Sequence, residues 1–167
     1  MAASPGPSEG MGTPNGPAPR DWSQDRERAL RLWISLARCY STFSRAVSCK
    51  IAEYGLTAPQ FGVLEALYHL GPLALGELAD KLLVTGGNVT YVMDRLEEQG
   101  LVERVRSPQD RRVVQAKLTG KGHELLSSVF PGHGEFIEDL SGCLNPQEQD
   151  ELRGLLKKLG TSAATRD

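Results

Sequence analysis

The sequence predicts a mainly α protein carrying one small β-hairpin. Apolar residues recur at spacings of three or four over most of residues 23–160, which is the helical period. Residues 101–118 break that rhythm with two short alternating segments on either side of a turn-rich stretch. The size agrees: 167 residues, 40% hydrophobic and 24% charged, suit one globular domain with a tail.

Several classes are excluded at once. No apolar run approaches the ~18 residues of a membrane span, and the N-terminus lacks an apolar signal core. No membrane partner is expected, and the location expected is the cytoplasm. Cys39, Cys49 and Cys143 make an odd count without CxxC spacing, against a disulfide framework or zinc knuckle.

Residues 1–22 read as a disordered tail, five of the ten Pro lying in the first twenty positions. From about Ser23, Leu30, Trp33, Leu36, Tyr40, Phe43, Val47, Ile51 and Tyr54 form one apolar stripe on a helix ended by Gly55. Thr57-Ala58-Pro59-Gln60 then opens a second helix through a capping box, with Phe61, Leu64, Leu67 and Tyr68 inward and Gly71-Pro72 as the stop. Leu73-Ala74-Leu75 is long enough only for a strand fragment.

A short helix, Gly76 to Leu83, presents Leu78, Ala79 and Leu82 on one face. After Val84-Thr85-Gly86, with Thr85 as N-cap, another helix runs to Gln99 and buries Val89, Val92, Met93 and Leu96. Its outward face shows Gly87, Asn88, Thr90, Tyr91, Asp94 and Arg95. Leu101 to Arg106 and Arg112 to Leu118 make the hairpin, joined by Ser107-Pro108-Gln109-Asp110-Arg111. Helical spacing resumes after Thr119 with Leu125, Leu126, Val129, Phe136, Ile137 and Leu140, where Pro131 is expected to kink or break the helix. Asn145-Pro146-Gln147-Glu148 opens a last helix striped by Leu152, Leu155, Leu156 and Leu159.

This order of elements is that of a winged helix-turn-helix with long N- and C-terminal helices. The net charge of −2 conceals a basic wing: Arg104, Arg106, Arg111, Arg112, Lys117 and Lys121 face only Asp110 across 104–121. One concentrated basic segment lets an acidic chain bind a polyanion. The N-terminal half of the helix that runs to Gln99 can offer Asn88, Thr90 and Tyr91 to base edges in the major groove of double-stranded DNA. Gly86 and Gly87 let that helix end approach phosphates, and Arg111 or Arg112 on the hairpin can reach the backbone or the minor groove. The bland alternative is a pair of packed helices with a solvated hairpin.

Gly62 to Tyr68, Glu77-Leu78-Ala79, Asn88 to Glu97, Gly100-Leu101-Val102-Glu103-Arg104, Asp110-Arg111-Arg112 and Leu118-Thr119 with Gly122 resemble the MarR family, over about Ala29 to Gly160. Val89 to Glu97, Phe130-Pro131 and Leu155 to Gly160 are similar to its branch of methylhydroquinone-responsive repressors. The resemblance implies a homodimeric bacterial transcription factor, usually a repressor, released from a pseudo-palindromic operator by a small aromatic or phenolic effector. It implies dimerisation through residues 23–56 and 123–160, DNA binding through 57–122, and a closing tail at 161–167. The implied DNA contacts are Gly87, Asn88, Thr90, Tyr91, Arg95, Arg111 and Arg112, with Asp110 orienting a wing arginine, and the helix end and basic hairpin add Gly86, Arg104, Arg106, Ser107 and Gln109 as expected contacts. It also implies an effector pocket on the first two helices, where Trp33, Tyr40, Phe43, Phe61 and Tyr68 are the aromatic candidates, although the ordinary reading of these rings is core.

Other chemistry finds less support. A thiol-based redox-sensing regulator of the same fold is an alternative, but the region around Trp33 has no Cys and neither Cys39 nor Cys49 has a run of His or Lys beside it. His69, His123, His133 and Cys143 include no pair at i,i+4, so no metal is expected. No GxSxG, P-loop, Rossmann glycine pattern or HExxH is present, so neither an enzyme nor a cofactor is expected. A helical interaction module without DNA remains the third reading.

Overall fold

The structure, a computed structural model, describes residues 23–82, 86–106, 110 and 112–165. The expected tail at 1–22, the Thr85 cap, and Ser107, Gln109 and Arg111 of the hairpin lie outside the described residues. In chain order the elements are α1 (Gln24–Glu53), α2 (Ala58–Leu70), β1 (Leu73–Ala74), α3 (Leu75–Leu82), α4 (Gly86–Glu98), β2 (Val102–Arg106), β3 (Val114–Leu118), α5 (Gly120–Ser141) and α6 (Pro146–Ala164). The described residues divide into two units, one up to Arg38 and one from Cys39 onward. In the first, α1 carries i,i+3 and i,i+4 ion pairs, Arg28 to Asp25 at 3.1 Å and Arg31 to Glu27 at 2.6 Å. Leu30, Leu32, Trp33 and Ile34 are exposed there.

The second unit holds the core. Phe61, Val63, Leu64 and Leu67 of α2 pack with Leu78 of α3, with Val89, Met93 and Leu96 of α4, and with Leu101, Ala116 and Leu126. The start signals act as their chemistry requires. The Thr57 N–H donates to Gln60 Oε1 at 2.9 Å and the Gln60 N–H to Thr57 Oγ1 at 3.4 Å. At α6 the Glu148 N–H donates to Asn145 Oδ1 at 3.0 Å, and the Asn145 N–H to Glu148 Oε2 at 2.8 Å. Glu77 accepts from the Ala74 N–H at 3.0 Å, joining β1 to the first turn of α3.

Among the described residues the strands form one antiparallel sheet ordered β1-β3-β2. Leu73 pairs with Ala116, and Val102 and Arg106 pair with Leu118 and Val114. The fragment at Leu73 therefore serves as the third strand, and Ala116 at its centre is fully buried.

Two expectations are corrected. Pro131 does not break α5, which runs unbroken from Gly120 to Ser141. Pro131 faces solvent, where loss of the bond to the Ser127 carbonyl is tolerable, while Leu126 and His133 are buried on the other side of the helix. The last helix also passes Gly160 and continues to Ala164, with Thr161 Oγ1 donating to the Lys157 carbonyl at 2.9 Å. Residues 161–164 are thus helix rather than tail.

The end of α4 is bound to the start of α5. Gly100, at φ 69°, completes a Schellman turn in which its N–H meets the Glu97 carbonyl at 2.8 Å and the Leu101 N–H meets that of Leu96 at 2.9 Å. Gly122 packs directly on this turn, and a Cβ there would collide with the Leu101 carbonyl. Gly122→Ala should therefore destabilise the fold by about 1–3 kcal/mol, read as a lower urea midpoint with unchanged m-value. A change within error would show that the junction yields.

Candidate nucleic-acid interface

α4 has two faces because its apolar residues follow the helical period. Val89, Val92, Met93 and Leu96 are buried, which fixes the roll of the helix about its axis. Gly87, Asn88, Thr90, Tyr91 and Arg95 consequently stand exposed on the opposite side, and Gly86 opens the helix. Arg95 donates to Glu98 at 2.7 Å and lies over the Tyr91 ring at 5.4 Å, so the two longest side chains of this face are held together.

β2 and β3 rise beside α4 as the wing. Asp110 accepts three bonds from Arg112: from its backbone N–H at 2.9 Å, from Nε at 3.2 Å and from Nη2 at 3.1 Å. The Arg112 guanidinium first, and its backbone N–H second, hold the Asp110 carboxyl below the usual carboxylate range. Arg112 stays 91% exposed, so the pair aims the guanidinium without withdrawing it from solvent. Lys117 pairs with Glu103 across the hairpin at 3.4 Å. Arg106 is exposed at the end of β2.

Arg104 differs from the other basic residues. Its guanidinium donates to Glu97, to Asp94 Oδ1 at 2.7 Å and to the Thr90 carbonyl at 3.3 Å. Its side chain is only 25% exposed. The partnership escapes a charge count because it depends on β2 lying along α4. The available signal was two carboxylates three residues apart on one helix, with an Arg just beyond the following turn.

The four aromatic candidates of the second unit stand in different surroundings. Trp33, in the first unit, is 64% exposed. Phe61 is 1% exposed and belongs to the core, whereas Phe43 and Tyr68 are half-buried. The Tyr68 hydroxyl lies 3.3 Å from Ser127 Oγ. Tyr40 lines an open cleft of about 280 Å³ with Ala58, Pro59, Gly62, Leu82, Asn88, Val89 and Val92. Sequence reasoning missed that an apolar cleft shares a wall with the reading helix. Cys39, Cys49 and Cys143 are all exposed.

His133 is buried among rings, 4.5 Å from Phe61 and 6.2 Å from Tyr54, centroid to centroid. Its Nδ1 and the Tyr54 hydroxyl are buried without a hydrogen-bond partner among the described residues. Burial, opposed by Glu65 and reinforced by Lys50, pushes His133 below its ordinary value of 6.5.

A reading helix presented by a buried apolar face, next to a basic hairpin, defines a DNA-binding winged helix-turn-helix protein. Residues 56–114 match the profile of the MarR family. The chain is 39% identical to the HTH-type transcriptional regulator MhqR of Bacillus subtilis (strain 168), over 82% of this chain and 94% of that one. Among solved structures it is similar to BpsR of Bordetella bronchiseptica, whose DNA binding is regulated by 6-hydroxynicotinic acid. That match has a TM-score of 0.70 and 29% identity, over 78% of this chain and 98% of that one. Sco3205 of Streptomyces coelicolor, solved in complex with DNA, shares the fold at a TM-score of 0.75 and 23% identity, over 87% and 92% of the two chains. The chain belongs to the MarR family. It is a DNA-binding transcriptional regulator and not an enzyme. Among the described residues, no helix is long and apolar enough to cross a membrane.

The His133 environment gives a pH dependence of stability. As pH falls, the unfolded chain takes up the histidine proton before the folded one does. This contribution is therefore complete above about pH 6.5 and is lost as pH falls toward the folded-state value. The urea midpoint should fall between about pH 7.5 and about pH 5.5, and His133→Gln should show a smaller fall. An equal fall in both proteins would place the effect elsewhere.

Proposed function

We propose that this chain is a homodimeric cytoplasmic repressor that reads a pseudo-palindromic operator and is released by a small aromatic effector. The observation that carries the reading is the exposed polar face of α4, where Gly87, Asn88, Thr90, Tyr91 and Arg95 stand clear of a fully buried opposite face. Asn88, in the first turn, reads a base edge, while Arg112 and its neighbours Arg111, Arg106, Ser107 and Gln109 on the wing engage the sugar-phosphate backbone. Residues 57–122 are the DNA-binding region, and 23–56 and 123–160 are the dimerising segments. Leu152, Leu155, Leu156 and Leu159 support this division, since they line one stripe of α6 and are all exposed in the single chain. A two-fold pairing of like surfaces covers such stripes and gives an operator of two related half-sites.

The test uses a duplex selected by the protein from a random-sequence library, and a scrambled duplex of equal length. Two chains should bind each selected duplex in sedimentation, and a folded monomer bound alone would remove the dimer. Asn88→Ala should cost roughly 1–3 kcal/mol on the selected duplex and far less on the scrambled one. Arg112→Ala should weaken both alike and lower the salt slope by about one counterion. Equal loss on both duplexes from Asn88→Ala would reduce that residue to a cap or a phosphate contact.

The effector enters the cleft between Tyr40 and Val89, where a flat ring meets apolar walls and Asn88 lies on the rim. BpsR answers to 6-hydroxynicotinic acid, and the similar branch answers to methylhydroquinone, so these two compounds are the probes. At least one should lower affinity for the selected duplex. Tyr40→Ala should raise the concentration needed and leave probe-free binding unchanged. A response that ignores Tyr40→Ala would move the effector to another site.

A further inference from the structure

We infer that Arg104 is a positioning residue that locks the reading helix to the wing and does not itself contact DNA. The inference rests on the DNA-binding role of α4 and reverses the contact expected of Arg104 from charge alone.

Arg104 pairs with Ala116 at the centre of the wing sheet, so its backbone moves with the hairpin. Its side chain leaves the strand for α4 and meets Thr90, Asp94 and Glu97 there, spanning about two turns of the helix. The backbone N–H of Arg104 also donates to Glu97 Oε1 at 2.9 Å, so Glu97 grips both ends of the residue. Thr90 and Asp94 flank the exposed pair Tyr91 and Arg95. A change in the Arg104 fork therefore shifts the wing relative to the reading face, whose roll the buried side of α4 holds.

The chemistry argues against a phosphate contact. A guanidinium presents a rigid planar fork of donors, and here that fork is divided among three acceptors on one helix. Swinging it to a phosphate would leave Asp94 and Glu97 unpaired three residues apart and facing a polyanion. Arg112 holds Asp110 as well, but it stays 91% exposed at the hairpin end and can meet a phosphate there.

Two variants separate positioning from contact. Arg104→Lys keeps the charge, which a phosphate contact mostly requires, but loses the fork that spans three acceptors. Positioning predicts roughly tenfold weaker binding to the selected duplex, little change on the scrambled duplex and an unaltered salt slope. A phosphate contact predicts parallel changes on both duplexes. Asp94→Asn, at a half-exposed site that tolerates substitution, is the second variant. Positioning predicts the same loss of selectivity, although the protein becomes more positive by one charge. A phosphate contact predicts equally tighter binding to both duplexes, because Arg104 is then released. A third measurement needs no DNA and so stands even if no duplex is selected. Urea denaturation of both single variants and the double variant should be non-additive, the double losing no more than the worse single. Additive losses, or parallel changes on the two duplexes, would overturn the inference.

Discussion

The three carbonyls that follow α4 are all taken by the entry to α5. Lys121 Nζ donates to Gln99 at 2.7 Å, Thr119 Oγ1 to Gly100 at 2.7 Å, and the Thr119 N–H to Leu101 at 3.1 Å. Carbonyls at a helix end have no partner within the helix, and burying them unpaired is costly. Here the donors that satisfy them come from a segment that follows the wing in sequence. Reading helix, wing and α5 therefore share one set of bonds, and Gly122 is the residue small enough to allow the approach. The Thr119 hydroxyl also accepts from the Gly122 N–H at 3.1 Å, so a single side chain caps α5 and holds the end of α4. α5 cannot be displaced without either moving the reading helix or breaking these bonds.

That junction holds one end of α4, and packing sets its roll. Val89, Val92, Met93 and Leu96 insert into a core supplied by α2, α3 and the sheet, so the helix cannot turn about its axis without exposing them. Each methylene exposed would cost on the order of 0.8 kcal/mol, so exposing several together outweighs a single polar contact on the outer face. The polar residues are thus presented by what lies behind them. Leu78 and Ala79 of α3 are part of that backing, which is why so short a helix is needed before the reading helix.

The sequence made local features legible where one short stretch contains the whole cause. Thr57 with Gln60 and Asn145 with Glu148 are complete capping boxes, and both helices begin where those residues stand. The buried face of α4 was equally readable, because periodicity depends only on spacing. What depends on approach between distant segments was not readable. Arg104 counts as a basic residue until β2 is laid along α4, and its carboxylate partners lie seven and ten positions back. Phe61 and Tyr40 make the same point: helical spacing puts both on apolar stripes, but only packing decides that Phe61 fills the core and Tyr40 edges a cleft. Pro131 was misjudged because its cost depends on whether its side of the helix is wet.

The same distinction changes what the basic wing means electrostatically. Of the six cationic side chains between 104 and 121, Arg104, Arg112 and Lys117 hold carboxylates, and Lys121 holds a carbonyl. A simple count would assign each to a phosphate and predict a salt dependence to match. Exposed pairs such as Arg112 with Asp110 contribute little to stability, so exchanging a carboxylate for a phosphate there costs little. Arg104 is different, because it is three-quarters covered and its partners belong to α4. The wing therefore contains two kinds of cation. Arg112 at the hairpin end is held in place yet open to solvent, whereas Arg104 at the centre of the sheet is committed to α4. On the proposed reading, exposed cations such as Arg112 are the ones that release counterions to DNA, whereas Arg104 orders the helix and the wing that meet it.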